Sequence, residues 1–234
     1  MHMNHSFSWK ILCLLTLLPT LAAAQSPAGS PAQKPLFPTA VGSRWTYDSS
    51  GVEVVEEIIA EDVIQGETCQ RVITKLNGKL LSFEHLVERP DGMYRVTIAG
   101  EPMEPPLCFL KTHAKSGETW AVDSKIGEVS VTGEFTAGTK IELNAGFKTT
   151  GVQFRSKQAI TSQGSKFRVP QGELEFTYEY VPGIGKVRQS MTFGDKTKSL
   201  VLKKFELGTG TASSSGEPGT PTLPTTEKAP AGAN

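Results

Sequence analysis

The chain has 234 residues, of which 38% are hydrophobic, and its 24 basic side chains balance its 24 acidic ones. This neutral balance argues against nucleic-acid binding and against attraction to anionic lipid surfaces, because both depend on clustered lysine and arginine. The hydrophobic content is sufficient for one core of ordinary domain size.

The first 24 residues have the three parts of a secretory signal peptide. Lys10 precedes the apolar run 11–24, which ends in three alanines. The run of about 14 residues is short of the roughly 20 that cross a bilayer as a helix. Cys13 lies inside it and lacks the small residue that normally precedes a lipidated cysteine. We therefore expect an exported protein, periplasmic or extracellular, whose mature chain has no transmembrane span.

Two low-complexity segments flank the central part of the chain. Residues 25–35 are rich in proline, alanine and serine and are predicted to form a flexible linker. In residues 208–234, 22 of the 27 are Gly, Ala, Ser, Thr or Pro, which leaves too little apolar surface to compensate for ordering the chain. We predict one folded domain at 36–207, followed by a disordered tail.

Apolar and polar side chains alternate with a period of two through the predicted domain. The stretch 173–180 (ELEFTYEY) shows this best, and 93–99, 185–193 and 199–207 behave similarly. The apolar side of the first stretch carries Leu174, Phe176, Tyr178 and Tyr180. Glycine and proline interrupt the pattern every 8 to 12 residues. The sequence therefore predicts an all-β antiparallel fold, in the form of a curved open sheet, a half-barrel or a sandwich-like domain.

A repeated motif divides the domain into two similar halves. The stretch 42–49 (GSRWTYDS) matches 117–124 (GETWAVDS), with Gly, Trp, Asp and Ser at the same spacing. We predict halves at about 36–110 and 111–207, each beginning with a tight turn. The indole after each turn, Trp45 or Trp120, is then expected to be a core anchor.

Glycine, proline and aromatic residues recur at defined positions along the domain. They are Phe37-Pro38, Val41-Gly42, Trp45-Thr46-Tyr47, Gly117, Trp120, Gly146-Phe147 and 180–187 (YVPGIGKV). This pattern resembles a recurrent family of uncharacterised exported bacterial proteins with the plan "FPl..G..WtY … yaPGvG.V". The resemblance implies an exported β-rich domain and supplies no catalytic residues. A more distant likeness, in compartment, size and β content, is to the periplasmic lipoprotein-carrier superfamily, whose curved open sheet holds an acyl chain.

Two cysteines, Cys69 and Cys108, belong to the predicted mature chain. An oxidising compartment would allow them to form a disulfide, which makes the pair a disulfide candidate. The bond would close a loop of about 40 residues and contribute about 4 kcal/mol in the chain-entropy model. The alternative is two unpaired buried thiols that pack as small apolar groups.

The sequence contains no strong catalytic or metal-binding motif. Its cysteines and histidines lack the close pairs of a zinc site, and no G-x-S-x-G motif is present. Glu173 and Glu175 lie on one strand face at a separation of about 6.5 to 7 Å, which is within the range used by glycosidases. A solvated strand face has the same pattern. We therefore predict no catalytic residue, no metal and no cofactor.

The leading hypothesis is an exported non-enzymatic β-domain that binds an apolar ligand, such as a lipid, in the cell envelope. The candidate ligand-lining residues are Trp45, Trp120, Phe176, Tyr178 and Tyr180. The alternative is a surface structural module that binds an envelope protein and is carried on flexible tails. A glutamate-dependent hydrolase is the third hypothesis.

Overall fold

The computed structural model describes residues 34–144, 148–162 and 172–210, and these residues contain twelve β-strands. The strands are β1 (Arg44–Ser49), β2 (Val52–Ile64), β3 (Glu67–Leu76), β4 (Lys79–Arg89), β5 (Gly92–Ile98), β6 (Glu101–Lys111), β7 (Thr119–Ile126), β8 (Val129–Asn144), β9 (Lys148–Ser162), β10 (Gly172–Val181), β11 (Gly185–Phe193) and β12 (Lys196–Glu206). No helix among the described residues is long and apolar enough to span a membrane.

Each strand pairs antiparallel with its neighbours in sequence, and β1 also pairs with β12, so the sheet closes into a barrel. The closing pair aligns Trp45 with Phe205. The seam between β6 and β7 is the least paired, because these strands align only Met103 with Ile126 and Glu104 with Lys125. The all-β antiparallel prediction is confirmed, and the curved sheet that the sequence indicates closes on itself.

The period-two alternation in β10 determines which of its side chains enter the core. Leu174 and Tyr180 are buried, whereas Glu173 and Glu175 are exposed. Glu175 makes an exposed ion pair with Lys157 at 2.9 Å. The two glutamates of the hydrolase hypothesis therefore lie on a solvated strand face.

Each copy of the repeated motif begins a strand with a tryptophan as its second residue. The glycines three residues before Trp45 and Trp120 have φ angles of +89° and +82°, a region that favours glycine. Each indole N–H donates to a distant backbone carbonyl: Trp45 to Ile184 at 2.5 Å, and Trp120 to Cys108 at 2.9 Å. The two tryptophans thus have the same local arrangement, while the proposed division into halves stays a prediction.

Residues 34–43, which we call the N-terminal strap, pack against the barrel before β1 begins. The Gly183 N–H donates to Pro35 O at 2.7 Å, and the Phe37 ring stacks on Trp45 at 5.4 Å. The Gly208 N–H donates to Ser43 Oγ at 3.1 Å, so the first residues of the predicted tail also contact the domain. The predicted signal peptide and most of the linker and tail lie outside the described residues.

The disulfide candidate is contradicted by the strand order. Cys69 lies on β3 and Cys108 on β6, with β4 and β5 between them. Three strand spacings place the two backbones ~14 Å apart, whereas a disulfide needs Cα atoms within about 7 Å. Both thiols are free, and burial raises the pKa of each. Cys69 is completely buried against Val87 and Val96, as expected for a small apolar group.

Candidate binding site in the barrel interior

The barrel contains an interior cavity of about 170 Å³. Its aromatic wall consists of Phe37, Phe109, Phe135, Phe176, Tyr178 and Tyr180. An engineered cavity of about 150 Å³ in another protein holds benzene, and pockets for drug-sized ligands start at about 300 Å³. The interior cavity therefore has room for one ring with small substituents.

Four charged side chains also line the cavity: Glu56, Glu84, Arg95 and Lys186. None of the four is predicted from the sequence to line a binding site, although Glu56 belongs to a glutamate-rich strand and strand periodicity contained a signal. Glu56 lies between the buried residues Val54 and Ile58, two positions from each, so alternation turns its carboxylate inward. Glu84 likewise lies two positions before the buried Leu86 on β4. A charged residue that alternates with buried apolar residues along a strand points to the same inner face of the barrel as they do.

The first interior ion pair joins β4 and β5. The Arg95 Nε donates to Glu84 Oε2, and the guanidinium lies over the Phe109 ring, 5.5 Å from its centre. Burial opposes the charge on Arg95, but the Glu84 carboxylate outweighs burial and raises the pKa of Arg95. The Arg95 guanidinium therefore stays charged inside the barrel.

The second interior ion pair joins β2 and β11. Lys186 Nζ lies 2.7 Å from Glu56 Oε1 and donates to Gln189 Oε1 at 2.9 Å. It also lies 5.3 Å from the centre of the Tyr47 ring. The Tyr47 hydroxyl donates to Lys186 O at 3.1 Å, which holds the backbone of β11 against β1. Because β1 and β12 lie between β2 and β11, this pair spans the strands that close the barrel.

Two tyrosines complete the wall as neutral groups. Burial raises the pKa of both Tyr178 and Tyr180, so their hydroxyls stay protonated in neutral solution. The Tyr178 ring stacks on Phe176 at 5.7 Å and on Phe135 at 6.2 Å. The charged part of the wall contains two carboxylates and two cations, and its formal charge is therefore zero.

The structure places three of the five candidate ligand-lining residues on the cavity wall. These are Phe176, Tyr178 and Tyr180. The two tryptophans pack behind the wall instead: Trp45 stacks on Phe37 at 5.4 Å, and Trp120 stacks on Phe135 at 5.4 Å. Trp45 and Trp120 therefore support rings that line the cavity.

A separate buried polar network lies on β2, β3, β4 and β5. His85 Nδ1 lies 2.6 Å from Thr97 Oγ1, and His85 Nε2 lies 2.9 Å from Asp62 Oδ2. Arg71 donates to both carboxylate oxygens of Asp62, at 2.6 and 2.7 Å. The Thr97–His85–Asp62 contacts follow the arrangement of a nucleophile, a general base and an acid that orients the base. Thr97 is only 5% exposed, however, so a substrate cannot reach its hydroxyl. Among the described residues, no cluster of three His, Cys, Asp or Glu could hold a metal ion.

No protein-family model matches the sequence, and no curated protein matches it. Two solved structures are similar in fold. A candidate lipoprotein from Parabacteroides distasonis has 9% identity and a TM-score of 0.47, over 75% of this chain and 100% of its own. A candidate exported protein with a YmcC-like fold from Bacteroides fragilis has 12% identity and a TM-score of 0.49, over 74% and 99%.

Proposed function

We propose that this chain is an exported, non-catalytic binding protein whose barrel interior holds a small, net-neutral ring compound. The observation that carries the proposal is the interior cavity, which has both aromatic rings and complete ion pairs in its wall. Protein interiors are close-packed, with few voids larger than a water molecule. A cavity of about 170 Å³ inside a closed barrel is therefore a candidate ligand site.

The sequence predicts an apolar ligand, and the size of the cavity limits which apolar ligands can fit. A volume near that of a benzene-binding cavity accommodates one ring, and a long acyl chain does not fit. The proposed ligand of this cavity is thus a single-ring compound.

The charge of the wall sets the second requirement. Glu84 and Glu56 are already neutralised by Arg95 and Lys186, so a charged ligand would introduce an unpaired charge. An unpaired charge inside a protein costs several kcal/mol. A neutral ring with a hydroxyl or amide group avoids this cost and can form hydrogen bonds with the polar wall.

The same ion pairs support a binding role over catalysis. A carboxylate that acts as a general base must be free to reach the proton of a substrate. Arg95 and Lys186 hold the two interior carboxylates in ion pairs, and Lys186 has only 13% of its side chain exposed. Export is supported by the signal-peptide motif at 1–24.

Titration calorimetry with three probes that share one ring tests the proposal. We expect phenol to bind, and benzoate and benzylammonium to bind at least about tenfold more weakly, because each ion adds an uncompensated charge. The matched control is Val72→Phe. Its larger side chain fills part of the cavity, so this variant should lose phenol binding. Equal binding of all three probes, or undiminished phenol binding by Val72→Phe, would overturn the proposal.

A further inference from the structure

A second cavity, of about 360 Å³, lies where β6 and β10 end, beside the N-terminal strap. We call it the end pocket. Its apolar wall consists of Leu36, Ala114, Val152, Phe154 and Pro182. The volume lies within the range of pockets that bury small organic ligands. The end pocket is therefore large enough for a ligand that the interior cavity excludes.

The charged residues that line the end pocket are both lysines, Lys111 and Lys140. Lys111 Nζ donates to Glu118 Oε1 at 3.0 Å, and this hydrogen bond raises the pKa of Lys111. Lys140 is exposed and makes no ion pair with the described residues. Glu142 adjoins the pocket through a hydrogen bond from Thr150, which lines it, at 3.2 Å. One cation of the wall is thus paired, and Lys140 offers a positive charge that has no ion-pair partner among the described residues.

A hydroxyl on the same wall also lacks a partner. The Thr112 Oγ1 is buried and makes no hydrogen bond, although Thr112 lines the end pocket. A buried polar atom without a partner costs about 1–3 kcal/mol. Because the Thr112 Oγ1 has almost no accessible surface, the polar contacts of a ligand must come from the exposed part of the wall, which includes Lys140.

We propose that the end pocket binds the anion of a fatty acid, with its chain on the apolar wall and its carboxylate near Lys140. One unpaired cation matches the single negative charge of a carboxylate. The apolar wall includes Val152 and Phe154, which belong to or pack against the main core cluster and provide a fixed surface for the chain. The Phe154 ring packs edge-on against Tyr180 at 5.9 Å, and Tyr180 lines the interior cavity. The two sites are therefore neighbours with different ligand classes.

Titration calorimetry with laurate, dodecyltrimethylammonium and acetate tests the chemistry of the end pocket. Laurate should bind, whereas the cationic amphiphile with the same chain and acetate, the head group alone, should each bind at least about tenfold more weakly. Within a series of shorter fatty acids, affinity should rise by up to about fourfold for each added CH₂ until the pocket is filled. Equal binding of the cationic amphiphile, or no dependence on chain length, would overturn the proposal.

A charge reversal tests the location. Lys140→Glu should weaken laurate binding at least about tenfold, while Lys198→Glu, an exposed lysine on β12, should leave it unchanged. Matching thermal denaturation curves would show that both variants fold. Unchanged laurate affinity in Lys140→Glu, or displacement of laurate by saturating phenol, would place the fatty acid elsewhere and contradict the assignment. Phenol binding to the interior cavity is measured separately, so failure of one proposal does not imply failure of the other.

Discussion

Glu56 and Lys186 meet inside the barrel at 2.7 Å, and their charges cancel in a place with little access to water. Their side chains are 19% and 13% exposed. Removing one partner of such a pair leaves the other charge buried and unpaired, which usually costs 3–5 kcal/mol. At the scale of single residues, the charge of the cavity wall can therefore be changed by one substitution.

Lys186→Met is expected to change the ligand preference of the interior cavity. The variant leaves Glu56 unpaired, so benzylammonium should bind at least about tenfold more tightly than phenol and should restore thermal stability. Calorimetry and thermal denaturation with both probes measure the change. The double variant Glu56→Gln/Lys186→Met is neutral again and should prefer phenol. If Lys186→Met still binds phenol more tightly than benzylammonium, the prediction is wrong.

Asp62 should make stability depend on pH. Burial raises the pKa of Asp62, but hydrogen bonds from Arg71 and His85 outweigh burial and leave the pKa below its usual value. A depressed pKa contributes stability that is complete above the unfolded value of about 3.9 and is lost as pH falls through the folded value. Asp62→Asn should therefore cost about 1–3 kcal/mol at pH 7 and progressively less below about pH 4.

Urea unfolding at pH 7, 5 and 3 measures the effect of Asp62→Asn. Glu61→Gln is the matched control, because Glu61 is the exposed neighbour on the same strand and should change stability by less than about 0.5 kcal/mol. A stability difference between Asp62→Asn and the natural chain that stays constant across this pH range would show that the Asp62 network does not titrate as described.

The two cysteines should be free thiols in the exported protein. β4 and β5 hold Cys69 and Cys108 apart, so no rotation of the side chains can join them. Thiol titration of the denatured chain from residue 25 onward should give two thiols, with or without prior reduction. A count that rises from zero to two on reduction would mean that a disulfide exists and that the strand order is wrong.

At the scale of secondary structure, closure of the barrel depends on contacts around Trp45. Its ring lies between Phe37 and Phe205, with centre distances of 5.4 and 5.5 Å, and its N–H donates to Ile184 O. The tryptophan therefore joins the N-terminal strap, β1, β12 and the turn after β10. Contacts that join elements distant in sequence are the ones that a closed barrel needs.

Two substitutions of Trp45 should destabilise the barrel to different degrees. Trp45→Phe loses the hydrogen bond and part of the ring, at a cost of about 1–2 kcal/mol. Trp45→Ala also leaves a cavity and should cost about 3–5 kcal/mol. Urea unfolding measures both changes, with Leu81→Ala as control, since Leu81 is 55% exposed. If Trp45→Ala cost no more than Leu81→Ala, Trp45 would have no part in closure.

Sequence periodicity predicts the elements better than it predicts their partners. The stretch 173–180 alternates cleanly, and β10 buries Leu174 and Tyr180 as expected, although the bulge at Glu179 buries that glutamate as well. Pairing of Arg44 with Glu206 joins the two ends of the domain, and alternation within one strand contains no information about so distant a partner. The disulfide prediction was wrong for the same reason, because loop length does not show how many strands separate two cysteines.

The sequence predicts only part of the candidate site, because alternation within one strand shows which side chains point inward but not how they pack across the barrel. An aromatic strand face indicates Phe176, Tyr178 and Tyr180 as interior residues, and these three line the cavity. The sequence does not show how much space is left between them, because cavity volume depends on packing across the whole barrel. Arg95 illustrates the limit: its role becomes visible only when β5 places it beside Glu84.

At the scale of the whole molecule, the closed barrel separates two cavities with different electrostatic character. The interior cavity has two carboxylates and two cations in its wall, and Lys140 of the end pocket has no ion-pair partner in the part of the chain that the structure describes. Phe154 and Tyr180 pack between them. The fold therefore allows a small neutral compound and a fatty-acid anion to be held in one domain without sharing a site.

Anomalous diffraction from crystals soaked in 4-bromophenol tests the central claim most directly, because bromine reports the position of the ring. We expect a bromine peak in the interior cavity, among Tyr178, Arg95 and Lys186. The peak should be absent from crystals of Val72→Phe. Bromine found only on the outer surface of the barrel, or in the interior cavity of Val72→Phe as well, would show that the interior cavity is not the binding site.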